Sequence, residues 1–249
     1  MNDRSAMRLA RLQQALAVGG TLHLREAARL CGVSEMTIRR DVAASDGAMS
    51  LLGGRLVLGS NPHYPYDLDR QKDSHAPAKR RLCERAAGFI EDGDTLFIDC
   101  GTTLPPLVAM LSGRERLTVV TYALNVANAV SRMSEVRLVL LGGLYHASSQ
   151  SFGSDDMSTA IRRLGINRAF ISAAGVHAER GVSCFHFHEV APKQAAIGCA
   201  EQRLLVVDES KIGQVRPAYF ARLGDFDVVI TDGDMALLQA NGGPRIVAA

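Results

Sequence analysis

From Pro77 to Thr231 the sequence alternates short runs rich in valine, isoleucine and leucine with helical spacers, and this rhythm limits the fold more than any other feature. Apolar runs without polar alternation belong to strands buried on both faces. Strands separated by helices pair in parallel, because a parallel pair needs a crossover. The pattern predicts helices over 78–90, 104–111, 125–133, 155–164 and 190–199. Between and after them it predicts strands over 95–99, 117–121, 137–141, 168–172, 203–208 and 227–231. A mostly parallel sheet covered by helices follows, so this part of the chain is an α/β domain.

The first sixty residues follow a different rule. Ser5 is placed to cap a helix running to Val18, with Ala6, Leu9, Leu12 and Leu16 on its apolar stripe. Thr21 to Leu24 reads as an extended link, and Arg25 to Cys31 as a second helix stopped by Gly32. Ser34 is a good N-cap for a third helix from Glu35 to about Ala43. Met49 to Leu58 reads as two strands around Gly53-Gly54, a β-hairpin wing. Two short helices joined by Gly32-Val33-Ser34 have helix-turn-helix spacing. The predicted organisation is a winged helix-turn-helix over 1–58, a linker over 59–75, an effector and oligomerisation domain over 76–236, and a C-terminal tail over 237–249.

Ile38 and Val42, four residues apart, should face the core of the head. The opposite face then carries Met36, Thr37 and Arg40, with Arg39 and Asp41 on its flanks. Arginine can bond bidentately to guanine and an apolar side chain can touch a thymine methyl, so this face suits a major groove. Ser34 and the helix N-terminus are placed for a phosphate, Glu35 beside them is a further DNA-binding candidate, and Arg55 on the wing is a further phosphate candidate. Residues 1–60 hold eight arginines against five acids, an excess of three positive charges that suits a polyanionic partner.

The composition excludes several classes. Hydrophobic residues make up 47% of the 249, enough for a packed core, and no apolar run reaches the ~18–20 residues of a membrane span. The N-terminus carries no signal-like apolar segment, so the expected compartment is the cytoplasm. Cys31, Cys83, Cys100, Cys184 and Cys199 are odd in number, widely spaced and without a CxxC, and read as small hydrophobes. His186 and His188 with Cys184 nearby raise a metal site, but no third ligand has the usual spacing and none is expected. No cofactor motif is present.

In the body, Gly101-Thr102-Thr103 follows a predicted strand and opens a helix. Backbone N–H groups, two hydroxyls and the helix dipole can cradle an anion there, although a plain capped turn has the same pattern. Asp208-Glu209-Ser210-Lys211 follows another strand, and Lys211 is placed to converge on the same anion, since ligands of open α/β sheets collect beyond the strands' carboxyl ends.

The string Val33-Ser34-Glu35-Met36-Thr37-Ile38-Arg39-Arg40-Asp41, followed by a Gly-Gly wing, resembles the signature of the DeoR family of bacterial regulators. The resemblance continues through Ile98-Asp99-Cys100-Gly101-Thr102-Thr103, Leu141-Gly142-Gly143 and Asp208-Glu209-Ser210-Lys211. The chain departs from the family after Asp41, where Ala43-Ala44-Ser45-Asp46-Gly47 stands in place of a leucine-rich helix end. The resemblance implies a repressor of nucleoside, deoxynucleoside or sugar catabolism that binds double-stranded operator DNA as a homo-oligomer. It also implies an effector domain like the sugar-phosphate isomerases and a phosphorylated sugar as effector, with 2-deoxyribose 5-phosphate favoured. By the same resemblance Asp99, Glu189 and Lys193 would meet sugar hydroxyls, although Glu189 and Lys193 stand i,i+4 and a surface ion pair has the same spacing.

The rival reading is a sugar-phosphate isomerase carrying a DNA-binding head. Isomerisation needs a carboxylate base beside the substrate carbon. Where the isomerases carry an acidic loop, this chain has Ala173-Ala174-Gly175-Val176-His177, and only His177 could act as a base. Binding without turnover, and no catalytic residue, is the expectation.

Overall fold

The structure is a computed structural model that describes residues 3–19, 21–45, 49–52, 55–58, 75–234 and 243–249. It divides into two compact units, Met1–Asp67 and Leu68–Ala249. The Gly53-Gly54 turn and residues 59–74 of the expected linker lie outside the described residues.

In the head, helix α1 (Asp3–Gly19) packs on α2 (Leu24–Cys31) and α3 (Glu35–Ala43), with Leu9, Leu12, Leu16, Ala27 and Ile38 in the shared core. Gly32 ends α2 in the left-handed region at φ +64, and Val33 N–H donates to Ala28 O at 3.0 Å. Ser34 Oγ accepts from Thr37 N–H at 3.2 Å, capping α3 as its sequence predicts. The link before α2 is a strand, β1 (Thr21–His23), which pairs antiparallel with β3 (Arg55–Leu58); β3 pairs in turn with β2 (Met49–Leu52). The wing is therefore three-stranded.

Ser5 is not a cap. Helix α1 begins at Asp3, and the Ser5 hydroxyl donates instead to Asp41 Oδ1 at 2.7 Å. Asp41 is not a flanking surface residue of α3 but is buried, and it also accepts two hydrogen bonds from Arg8, at 2.6 and 3.0 Å. The sequence pattern placed Asp41 by helical angle alone; a partner 33 residues away decided its environment.

In the body, seven strands form one parallel sheet in the order β15-β14-β12-β9-β4-β5-β6. The strands are β4 (Thr95–Ile98), β5 (Thr118–Thr121), β6 (Arg137–Leu140), β9 (Arg168–Ser172), β12 (Gln202–Val207), β14 (Val228–Thr231) and β15 (Arg245–Ala248). The last lies within the segment read as a tail, which is thus partly an edge strand of the sheet. The helices are α4 (Ala76–Ala87), α5 (Pro105–Ala109), α6 (Leu124–Val130), α7 (Met157–Arg162) and α8 (Val190–Cys199). Central strand residues such as Phe97, Val120, Phe170 and Val206 are fully buried, as apolar runs in a covered sheet require. Two smaller elements had no signal in the apolar rhythm. They are the hairpin of β7 (Leu144–His146) with β8 (Ser151–Gly153), and an antiparallel sheet of β10 (Gly175–His177), β11 (Gly181–Cys184) and β13 (Ala218–Ala221).

The chain runs outward through β4, β5 and β6 to one side, then returns to lay β9, β12, β14 and β15 on the other. The order reverses between β4 and β9, the kind of position, at the carboxyl ends of the strands, where open α/β sheets bind their ligands.

Arg8 holds the Asp41 carboxyl below the usual carboxylate range, and the Ser5 hydroxyl adds to this against the opposing effect of burial. A depressed folded-state pKa gives stability that is present above the unfolded carboxylate value near 4 and is lost as pH falls through the folded one. Asp41→Asn should speed hydrogen exchange of the α3 amides about tenfold or more at pH 7, since a buried ion pair loses one partner. Thermal melts in acid should show the difference between the two proteins closing below about pH 4.

Candidate functional site

The head presents α3 with Ile38, Asp41 and Val42 turned inward and Met36, Arg39 and Arg40 outward. Met36 is 65% exposed and stands beside Arg39 and Arg40 on the outer side of the helix. Thr37 is partly covered, and its hydroxyl lies 3.0 Å from Ser34 Oγ. Glu35 lies 3.5 Å from Arg25 in an exposed ion pair, so its carboxylate is engaged with the head itself. Arg55 opens β3 as an exposed side chain, opposite Leu52 and His23. Of the seven candidates, Ser34, Met36, Arg39 and Arg40 share the outer side of one helix and its start.

The second site lies at the strand-order reversal. Asp99, immediately after β4, is fully buried. Its Oδ1 accepts from Tyr122 OH at 2.7 Å; its Oδ2 accepts from Ser172 N–H at 2.9 Å, Ser172 Oγ at 3.2 Å and Lys193 Nζ. Lys193 also donates to Ser172 O at 3.2 Å, stands 3.8 Å from Glu189, and lies over the Phe220 ring at 5.2 Å. Glu189 and Lys193 are thus no surface pair; both are buried with Asp99. A residue whose two oxygens already accept four hydrogen bonds organises the site rather than standing open to solvent.

Gly101 takes φ +103, a backbone conformation in which a side chain would be strained, with Ser172 Oγ at contact distance, 3.4 Å from where a Cβ would stand. Asn125 Nδ2 donates to Gly101 O at 2.9 Å and fixes the turn from α6. Thr102 accepts at Oγ1 from Lys79 Nζ at 2.9 Å. Lys79, on α4, is 2% exposed, and the sequence pattern gave it no prominence. Its only signal was a lysine in the first turn of a helix whose neighbouring arginines lie on the solvent side. Thr103 is buried, and its carbonyl accepts from the Cys83 thiol at 3.1 Å. Helix α5 begins only at Pro105, so the Gly101–Thr103 turn precedes the helix by a residue instead of opening it. Lys211 ends a 3-10 turn, Glu209–Lys211, beyond β12.

The loop after β9 carries no carboxylate from Ala173 to His177. The His177 Nδ1 accepts from the Glu179 and Arg180 N–H groups at 3.2 and 3.3 Å, a turn-capping role. His146, His188 and His186 form a stack, with ring centroids 3.6 Å and 5.3 Å apart, and His188 Nε2 lies 3.2 Å from both Ser149 Oγ and Ser151 Oγ. Burial first, then the neighbouring imidazoles, push His188 down to about 4, so His188 is uncharged at neutral pH. Among the described residues no three His, Cys, Asp or Glu side chains are grouped to hold a metal ion.

Burial pushes Glu189 up to about 7; Lys193 opposes this and Asp99 reinforces it. Burial also works against the charge on Lys193, but Asp99, Cys100 and Glu189 outweigh it and hold the ammonium above its ordinary value. An acid whose folded-state pKa is raised favours the folded state below its unfolded value, and that advantage is lost as pH rises through the folded value. Glu189→Gln, neutral at every pH, should therefore melt a few degrees above the unmodified protein at pH 8, with the gap narrowing toward pH 5. Differential scanning calorimetry across that range is the check.

A family model described as the DeoR-like helix-turn-helix domain matches residues 8–52, and one described as the DeoR C terminal sensor domain matches residues 74–233. Over 232 residues the chain is 40% identical to the deoxyribose operon repressor of Escherichia coli (strain K12), covering 93% of this chain and 92% of that one. It is 29% identical over 234 residues to the lactose phosphotransferase system repressor of Lactococcus lactis subsp. lactis, covering 92% and 91%. Ribose 5 phosphate isomerase A from Neisseria gonorrhoeae matches with a TM-score of 0.40 at 17% identity, over 54% of this chain and 52% of that one, too loosely to bear on function. Among the described residues no helix is long and apolar enough to cross a membrane. With repressors as its relatives along nearly its whole length, the chain is a DNA-binding transcriptional regulator and not an isomerase, and it belongs to the DeoR family.

Proposed function

We propose that this regulator represses genes of deoxynucleoside or sugar catabolism and is released from its operator by a phosphorylated sugar, with 2-deoxyribose 5-phosphate the favoured effector. The observation that carries the effector reading is the buried Lys79 ammonium on the Thr102 hydroxyl, beside a glycine turn at the strand-order reversal. A phosphate dianion is costly to desolvate unless charge-assisted donors replace its water. Lys79, the Gly101–Thr103 turn and Lys211 are the groups this reading assigns to the phosphate. Asp99, Glu189 and Lys193 form the floor beneath the sugar, with Asp99 setting the position of the other two. The similarity to a deoxyribose operon repressor supports the choice of sugar.

On DNA, α3 enters the major groove with Arg39, Arg40, Met36 and Thr37 toward the bases, while Ser34, the helix N-terminus and Arg55 approach phosphates. Glu35, paired with Arg25, orients that arginine instead of reading a base. One head covers few base pairs, so the body brings two or more copies together on paired half-sites. Effector binding must favour one arrangement of those copies over another to change DNA affinity.

Arg40→Ala should cost about 1–3 kcal/mol of operator binding and relax discrimination at one position. Arg55→Ala should weaken specific and nonspecific DNA alike and lower the salt dependence. An Arg40→Ala protein with undiminished operator affinity in gel-shift titration would remove α3 from the groove.

Lys211→Ala should weaken the effector about tenfold or more while DNA affinity without effector is retained, giving a repressor that is not induced. Thr102→Val should act in the same direction and less strongly, because the backbone N–H groups remain. Calorimetry with 2-deoxyribose 5-phosphate and with free 2-deoxyribose reads both. Equal affinity for the two sugars would end the phosphate assignment. Light scattering showing a monomer with full operator affinity would end the paired-head assignment.

A further inference from the structure

Asp208 leaves the carboxyl end of β12 and is 1% exposed. Its Oδ1 accepts from Ser210 N–H at 3.0 Å and from the Ser210 hydroxyl, which caps the 3-10 turn leading to Lys211. Its Oδ2 is buried and accepts from no donor among the described residues. The nearby Asp232 is employed elsewhere, accepting from Glu209 N–H at 2.8 Å and pairing with Arg81 at 3.4 Å. A buried acceptor without a donor loses its hydration and gains nothing in return, and folded proteins keep few such atoms without a functional reason.

The strand register brings Asp208 to the end of the sheet where the proposed effector site lies. Val206 pairs with Ser172 on β9, and Ile98 on β4 pairs with Phe170. Asp208 and the Gly101–Thr103 turn therefore leave the same end of the sheet on strands two apart, separated by the single strand β9. Two interstrand spacings are about 10 Å, a span that a five-carbon sugar phosphate can bridge. An oxygen acceptor repels a phosphate dianion and welcomes a hydroxyl, so the sugar end of the ligand, not its phosphate, belongs beside Asp208.

We propose that Asp208 is a ligand-contacting residue of the sensor site whose Oδ2 accepts a hydrogen bond from a hydroxyl of the bound sugar phosphate. This rests on the reading of the body as a phosphosugar sensor. It adds direction to that reading: phosphate over the Gly101–Thr103 turn, hydroxyls toward β12. A phosphorylated compound without a hydroxyl there leaves the oxygen unanswered and binds less tightly, which makes Asp208 a determinant of specificity.

The test is isothermal calorimetry of the full chain with 2-deoxyribose 5-phosphate, ribose 5-phosphate and inorganic phosphate. Asp208→Asn keeps an oxygen for the Ser210 cap and puts an N–H₂ donor where the acceptor was. It should lower affinity for the sugar phosphates tenfold or more and leave inorganic phosphate within about twofold. Asp208→Ser, which keeps a capping oxygen and has none at the Oδ2 position, should show the same selective loss. Unchanged affinity for the sugar phosphates in both variants overturns the proposal, as does an equal loss for inorganic phosphate, which would make Asp208 a prop of the turn. Absence of any sugar-phosphate binding by the unmodified protein would instead bring down the sensor reading, and this inference with it.

Discussion

The body of this regulator depends on one carboxylate. Asp99 sits where the strand order reverses, and its two oxygens reach β5 through Tyr122, β9 through Ser172 and α8 through Lys193. In α/β sheets the strands next to a reversal are the pair whose following loops part company, so nothing in the crossover pattern itself holds their carboxyl ends together. A buried, fully bonded acid supplies that connection. Its charge is met by Lys193, and the remaining donors are neutral, so the group is satisfied without water. Gly101, Thr102 and Thr103 follow within four residues of it, which places their turn with the precision of the sheet rather than the looseness of a surface loop.

The same arrangement explains why a pocket of charged groups senses and does not catalyse. Catalysis by a carboxylate asks for a group free to take a proton from the substrate. Here Asp99 is saturated, Glu189 is shared between Lys193 and the thiols of Cys100 and Cys184, and His177 is turned to its own loop. Each of these three is committed to the protein. Such groups can still fix the orientation of a ligand, which is all that a switch between two binding states demands.

Much of this was legible in the sequence wherever a local rule acted alone. Ser34 capped α3 and Gly32 ended α2 because capping chemistry is decided within four residues, and α3 runs over the expected Glu35 to Ala43. Strand β9 and helix α8 have the bounds that the apolar rhythm gave them. The rhythm missed the strands of the β7–β8 hairpin and of the β10, β11 and β13 sheet, which lie outside the alternation of apolar runs with helical spacers. It also failed for side chains defined by distant partners. Tyr122 and Lys79 read as an ordinary aromatic and an ordinary helix lysine until the fold brought them to Asp99 and Thr102, 23 residues away in each case. Ser5 was misread for the same reason: hydroxyls at helix starts cap by default, and only the tertiary fold reveals the aspartate 36 positions on.

The ion pair of Arg8 with Asp41 has a consequence for the history of such proteins. It grips α3 from the inner side, together with Ile38 and Val42, and makes no use of the outer side chains. The residues that anchor the helix and those it leaves exposed are thus different residues of the same nine-residue helix. With α3 reading DNA as proposed, a lineage can exchange Met36, Thr37, Arg39 or Arg40, and so acquire a new target sequence, while the helix stays seated at the same angle on the same support. Paralogues that answer to different sugars and sit on different promoters can diverge by that route without first having to solve the folding of the head again.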